Sequence, residues 1–161
     1  MKRLLSLIIC FVFVNIGYSQ EIPKGANLVK FESDSLTDFE LFRASVMVLK
    51  KAGFAFDQLD KDFYLCSTKP IKPDKINLEY RIELSVYENI IEIRSFVKSI
   101  GNIAGNYGSI SSISENAWER GAKRSLGTSL WMYGWKRQVA IGKRMDDNLP
   151  GKVSYIVEEF K

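Results

Sequence analysis

The most regular pattern of apolar and polar positions lies in NLEYRIELSVYENIIEIRSFVKS, residues 77–99. Two alternating runs flank Glu88-Asn89, and asparagine tolerates the positive φ that a two-residue hairpin turn requires. That turn fixes the register. Tyr87 faces Ile90, Val86 faces Ile91, Leu84 faces Ile93, Ile82 faces Ser95 and Tyr80 faces Val97. The other face pairs Ser85 with Glu92, Glu83 with Arg94, Arg81 with Phe96 and Glu79 with Lys98. A slip of one residue would place apolar side chains opposite charged ones. One apolar face and one charged face predict an antiparallel sheet covered by helices on one side only.

A second pattern has helical period. In SDSLTDFELFRASVMVLKKAGF, residues 33–54, Leu36, Phe39, Phe42, Val46 and Leu49 make an apolar stripe. Asp34 or Ser35 is expected to cap the helix, with Asp38 and Glu40 favourably placed in its early turns. Lys50 and Lys51 fall in the last turn, and Gly53 suits a left-handed C-terminal cap.

The remaining chain is read around these two pieces. Asn27–Phe31 predicts a first strand, and Phe54–Gln58 and Phe63–Thr68 two more around the turn Leu59–Asp62. The prolines of KPIKPDK make a loop. Ile100–Ser112 is rich in Gly, Ser and Asn and predicts another loop. A helix is expected from Ser112 or Ser114, with Ala117, Trp118, Ala122 and Leu126 facing inward and Gly127 ending or bending it. A second helical segment runs from Thr128 or Ser129 to about Asp146. Lys152–Val157 predicts a last strand after the turn Asn148–Gly151.

The first residues change this picture. Lys2 and Arg3 precede the apolar run Leu4–Ile16, and Gly17-Tyr18-Ser19 offers small residues at −3 and −1 of a cleavage site. This is the pattern of a secretory signal peptide over residues 1–19, with cleavage near Ser19/Gln20. The run falls short of the roughly 20 residues of a spanning helix. Cys10 lies in mid-run, so the leader is not of lipoprotein type. Residues 20–161 are expected to form a single domain, periplasmic or extracellular. Without Lys2 and Arg3 the chain holds 21 basic and 19 acidic side chains, with a basic bias confined to residues 114–161. That balance lacks the electrostatic footprint of a nucleic-acid binder. Cys66 is the one cysteine after the leader and lies in an apolar run, as a buried thiol would.

The chain contains no histidine, which removes the commonest general base and every Ser-His or Cys-His relay. One cysteine after the leader and no histidine exclude a structural zinc site. GNIAGNYG lacks the lysine and context of a phosphate loop. Asp57, Asp60 and Asp62 do not follow calcium-loop spacing and are expected in a solvated turn. Glu79 and Glu83 are expected to pair with Lys98 and Arg94 on the sheet surface. No cofactor is implied, and no catalytic or metal-binding residues are assigned.

SLWMYGWKRQ, residues 129–138, concentrates aromatic and basic groups. Thr128, Trp131, Met132, Trp135, Val139, Gly142 and Met145 form one stripe at steps of three and four, as in a helix packed on a sheet. Lys136, Arg137, Lys143 and Arg144 fall mainly off it. Tyr133 lies beside Arg137 and is expected to be exposed. The candidate interaction surface is therefore Tyr133, Lys136 and Arg137, with Tyr107 and Ile110 of the Gly/Ser loop.

The run ANLVKFES...LFRASVMVLKKAGFAFDQLDKDFYLCST resembles small secreted proteins of Bacteroidetes, some with a TATA-binding-protein-like fold. The resemblance spans residues 27–147 and implies a β-α-β4-α unit, a curved sheet with helices on one side. It implies no catalytic residues. The expected fold is thus α+β: an antiparallel sheet of about five to six strands, helices on one face, and an extra C-terminal strand. The expected function is an exported non-catalytic domain that binds a protein or cell-envelope component, not nucleic acid. The alternative is a peripheral membrane-surface protein using the basic helix 128–146. A hydrolase built from carboxylates alone ranks last.

Overall fold

A computed structural model describes residues 21–74, 76–100, 118–120 and 130–158. Its elements are β1 (Leu28–Glu32), α1 (Asp38–Lys51), β2 (Phe56–Asp60), β3 (Leu65–Thr68), β4 (Leu78–Tyr87), β5 (Ile90–Ser99), β6 (Glu119–Arg120), α2 (Leu130–Asn148) and β7 (Lys152–Ile156). The fold is α+β. The strands form one antiparallel sheet in the order β2-β3-β4-β5-β1-β7, and β6 pairs with β5 beyond the end of β1.

The β4–β5 hairpin has the register that its alternation demands, from Tyr87 opposite Ile90 to Glu79 opposite Lys98, with one further pair, Leu78 and Ser99. Glu88 and Asn89 both take positive φ, 50° and 60°, the geometry that matches the twist of the flanking strands. The Asn89 N–H donates to Asp38 Oδ1 at 2.6 Å, which ties the turn to the start of α1.

Helix α1 begins two to three residues later than expected. Thr37, not Asp34 or Ser35, is the N-cap, and Glu40 returns a bond to its backbone N–H at 3.0 Å. This reciprocal box outcompetes the earlier polar residues because it satisfies two free amide donors at once. Ser33 is engaged elsewhere, donating to the Pro150 carbonyl at 2.6 Å. The buried stripe is also rotated. Leu41, Phe42, Ser45, Val48 and Leu49 are buried, Leu36 and Val46 are half-buried, and Phe39 is 53% exposed. Ser45 is accommodated because its hydroxyl donates to the Phe42 carbonyl at 2.7 Å. Gly53 takes φ 86° just beyond the helix, as its position implies.

The β2–β3 hairpin is displaced by two residues from its expected strand bounds. The Asp60 carboxylate accepts from the N–H groups of Asp62 and Phe63, which moves the turn onto residues 61–64. Of the three aspartates expected in a solvated turn, Asp62 lies in it, Asp60 ends β2 half-buried and Asp57 is exposed within β2; among the described residues no acidic group has the arrangement of a metal site.

A helix through Trp118 is not what forms. Glu119 and Arg120 are a strand opposite Val97 and Phe96, and the rest of that expected helix lies outside the described residues. β5 outruns β1, so its open edge is completed by a short strand rather than covered by a helix.

Both helices lie on the apolar side of the sheet, α1 over β4 and β5, and α2 over β5, β1 and β7. The core joins Val29, Phe31, Ile82, Leu84, Val86, Ile91 and Ile93 to Leu41, Phe42 and Leu49 of α1 and Trp135, Ile141 and Met145 of α2. Gly142 lets α2 approach β1 closely, since an added Cβ would lie 2.6 Å from Val29 Cγ1. Gln138, on the same helix, is fully buried. Its side-chain carbonyl accepts from Ser95 N–H at 3.1 Å and Ser95 Oγ at 3.0 Å, and its amide donates to the Asn27 carbonyl at 3.2 Å. It therefore closes the gap on β5 between the parts paired with β1 and with β6.

Gln138→Leu keeps the volume but strands these buried groups, so it should destabilise the fold by about 1–3 kcal/mol. Urea unfolding measures this, and an unchanged midpoint would show that the three bonds contribute nothing net.

Candidate functional site

The sheet face away from the helices carries the charged positions of β1, β4 and β5. At its centre Glu92 is only 6% exposed. Lys30 of β1 reaches it at 2.9 Å, Arg94 at 2.5 Å, and the Tyr87 hydroxyl donates to it. Arg94 continues to Glu158 at 3.3 Å, and Arg120 of β6 meets Glu158 at 2.5 Å. Glu158 is positioned by its backbone. Asn27 accepts from its N–H at 2.9 Å and donates to its carbonyl at 2.8 Å.

The ion pairs are thus not the expected cross-strand ones. Glu83 bonds Arg81 at 2.8 Å, two residues along the same strand, because Arg94 is drawn to Glu92 and Glu158. Lys98 lies over the Trp118 ring at 5.8 Å. Arg81 stacks on Trp118 at 4.8 Å and on Phe96 at 5.4 Å. Trp118, expected inside a helix, instead stands on the open face between two cations, where its ring quadrupole is favourable.

Beside this cluster the open face holds a depression of about 220 Å³. Gln58, Leu65, Ser67, Glu83, Ser85 and Arg94 line it, with Cys66 and Leu84 at its floor. It presents amide, hydroxyl, carboxylate and guanidinium groups side by side, with one apolar neighbour. Small-molecule sites typically enclose at least about 300 Å³. At about 220 Å³ the depression is smaller than that.

Of the residues singled out from sequence, Tyr107 and Ile110 lie outside the described residues. Tyr133 is half-buried rather than exposed. Its ring meets Tyr80 edge-on at 5.6 Å, and its hydroxyl accepts from Arg137 at 2.8 Å. Arg137 lies 5.0 Å over Tyr133 and 5.7 Å over Tyr80, so it is occupied by two rings of its own chain. Lys136 is exposed. In the same segment Trp135 is buried, while Trp131 and Met132 are half-buried. These three singled-out residues of α2 lie on the helix side of the molecule, apart from the depression. The lining of the depression has one sequence signal, the polar face of β4 and β5. Its β2 and β3 members, Gln58, Leu65 and Ser67, carry none.

Compared with protein-family profiles and with curated proteins, the chain matches none.

The titration behaviour follows from the contacts. Burial pushes the Glu92 carboxyl up, but the bonds from Tyr87 and Lys30 and the Arg94 charge outweigh it and leave it below its ordinary value of 4.5. The bond to Glu92 likewise raises Lys30 above 10.5. A depressed carboxyl stabilises the fold above its unfolded pKa, and that contribution is lost as pH falls through the folded pKa. A raised lysine contributes below 10.5 and loses its contribution as pH rises through its folded pKa. Both describe one interaction seen from its two ends. Cys66, 3% exposed, has its thiol pushed up to about 12 by burial.

Glu92→Gln should therefore cost about 1–3 kcal/mol at pH 7. As pH falls below 4.5 and on through the lower folded pKa, the difference from wild type should shrink, because the wild-type carboxyl becomes protonated as well. Urea titrations at the two pH values check the sign, and an equal loss at both would show that charge is not the cause. Cys66 should resist an aromatic disulfide reagent at pH 8 in the folded protein and react on unfolding, since the thiolate is the reactive form. Rapid native reaction would contradict its burial.

Proposed function

We propose that the chain is an exported, non-catalytic domain that binds a protein component of the cell envelope through the open face of its sheet. The observation that carries this reading is the depression between β2 and β5. Its size suits one side chain or a short stretch of backbone, and its polar lining can both donate and accept. The carboxylate in that lining, Glu83, is neutralised by Arg81. The lining Ser67 and Ser85 have no histidine to activate them anywhere in the chain. The leader pattern of residues 1–19 supports export, and no helix among the described residues is long and apolar enough to cross a membrane.

A protein partner fits better than a bilayer surface. The apolar stripe of α2 is spent on the core through Trp135, Ile141 and Met145, and Arg137 is engaged by Tyr133 and Tyr80. A helix that lies in a bilayer interface needs that apolar face free.

A photo-crosslinking residue placed at Ser67 or Ser85 should form an adduct with an envelope protein, and Arg94→Ala should weaken it several-fold. The same residue at Ala140, exposed on the helix side, should form none. Adducts from position 140 but not from 67 or 85 would overturn the open-face reading. A turnover activity abolished by changing one carboxylate would overturn the non-catalytic one.

A further inference from the structure

The open-face depression follows one row of side chains across four strands. Gln58 stands opposite Ser67, Ser67 opposite Glu83, and Glu83 opposite Arg94. In the neighbouring row Leu65 stands opposite Ser85. A glutamate directly opposite an arginine on adjacent strands ordinarily closes into an ion pair between them. Here that pair is split. Glu83 turns along β4 to Arg81, at 2.8 Å, while Arg94 turns the other way along the hairpin to Glu92 and reaches Glu158 at 3.3 Å. Arg81 is itself held by the rings of Trp118 and Phe96, 4.8 and 5.4 Å away. The two long side chains thus part beside the short Ser67 and Ser85, and all four line the depression.

The split pair sets what the depression accepts. Its lining holds one charge of each sign, and each has a counter-charge that lies outside the lining. A carboxylate or ammonium group entering it would give up water and meet no unpaired opposite charge, which is costly. A neutral group that carries a donor and an acceptor side by side loses far less. The lining can serve both: the Arg94 guanidinium only donates, the Glu83 carboxylate only accepts, and the Ser67 and Ser85 hydroxyls do either. Among the described residues, no hydrogen bond of the protein engages those two hydroxyls or the Gln58 amide. On the premise that a partner protein docks on the open face, we propose that the depression receives the carboxamide of an asparagine or glutamine side chain of that partner. Its carbonyl accepts from Arg94, and its NH2 group donates to Glu83 and the serine hydroxyls. The space, about 220 Å³, is below that of sites enclosing a whole small molecule, in keeping with one group of a larger partner.

The test titrates residues 20–161, which contain every described element, with the N-acetyl, N-methylamide forms of asparagine, aspartate, lysine and alanine at constant ionic strength, and follows backbone amide resonances by NMR. The asparagine compound should shift the resonances of Ser67, Ser85 and Arg94, and the other three should bind at least fivefold more weakly. Glu83→Gln leaves the Arg81 charge without its partner, so it should raise affinity for the aspartate compound at least fivefold while resonances on the helix side stay in place. The proposal is overturned if the aspartate or lysine compound binds wild type as tightly as the asparagine one. It is also overturned if the alanine compound does so, since backbone alone would then be the occupant, or if the asparagine compound shifts none of the three resonances. Any of these results with photo-crosslinks still forming from Ser67 or Ser85 sinks the carboxamide and leaves open-face docking standing. Selective binding of the asparagine compound with crosslinks from Ala140 alone sinks open-face docking and, with it, the partner side chain as occupant.

Discussion

The register of β4 on β5 is the constraint on which the rest of the molecule depends. Ten consecutive pairs are held by two residues at positive φ, Glu88 and Asn89. Because side chains alternate with period two, this one alignment sends Ile82, Leu84, Val86, Ile91 and Ile93 to the helices and Arg81, Glu83, Ser85, Glu92 and Arg94 to the opposite face. A slip of one residue would bury the charges and expose the core. The turn is also the anchor of α1, through Asp38 and Asn89. Core, charged face and helix placement are therefore consequences of a single local decision.

The open face then acquires order from chain segments distant in sequence. Glu92 is nearly buried among its partners and is tolerable there because Lys30, Arg94 and Tyr87 all reach it. The same Arg94 extends to Glu158, whose backbone is clasped by Asn27. β1, β5, β6 and the end of the chain after β7 are thus joined by one alternating series of charges. Exposed ion pairs add little individually, but a network around a buried member also restricts how its strands can shift. Arg94, held in this network, is also the member of it that lines the neighbouring depression.

Much of this was legible in the sequence, and the failures have particular causes. The hairpin, Gly53 beyond α1, the apolar members Trp135 and Met145 of α2 and the last strand all follow from periodicity and turn chemistry acting over short range. What periodicity could not show is where a polar residue is satisfied by a distant partner. Ser45 and Gln138 are buried because the Phe42 carbonyl, Ser95 and Asn27 meet their hydrogen-bonding groups. Reading hydrophobicity alone therefore rotated the α1 stripe onto Phe39 and omitted Gln138 from the α2 face. Trp118 failed for a related reason. Its environment is set by Arg81, Phe96 and Lys98 across the sheet, and nothing adjacent to it in sequence announces a strand. The open-face depression was only half legible, since β4 and β5 declare their polar face while β2 and β3 are too short to declare one.

Sheet width explains why this fold has surface to spare on both sides. The open face has no helix among the described residues, and Lys30, Glu92, Arg94 and Glu158 pair among themselves there. The helix side has two helices for six strands in order; β3 is still buried there through Cys66 and Thr68, while Leu59 of the edge strand β2 is 43% exposed. An edge hairpin that is neither covered nor strongly charged on its apolar side invites pairing with other chains. Here the bulge between Phe56 and Gln58 breaks the regular ladder of β2, and Asp57, Asp60, Lys61 and Asp62 surround it with charge. Those features discourage indiscriminate strand addition, while Leu59 and Phe63 remain exposed. Edge protection of this kind lets β2 keep exposed apolar side chains without offering a regular ladder to another chain.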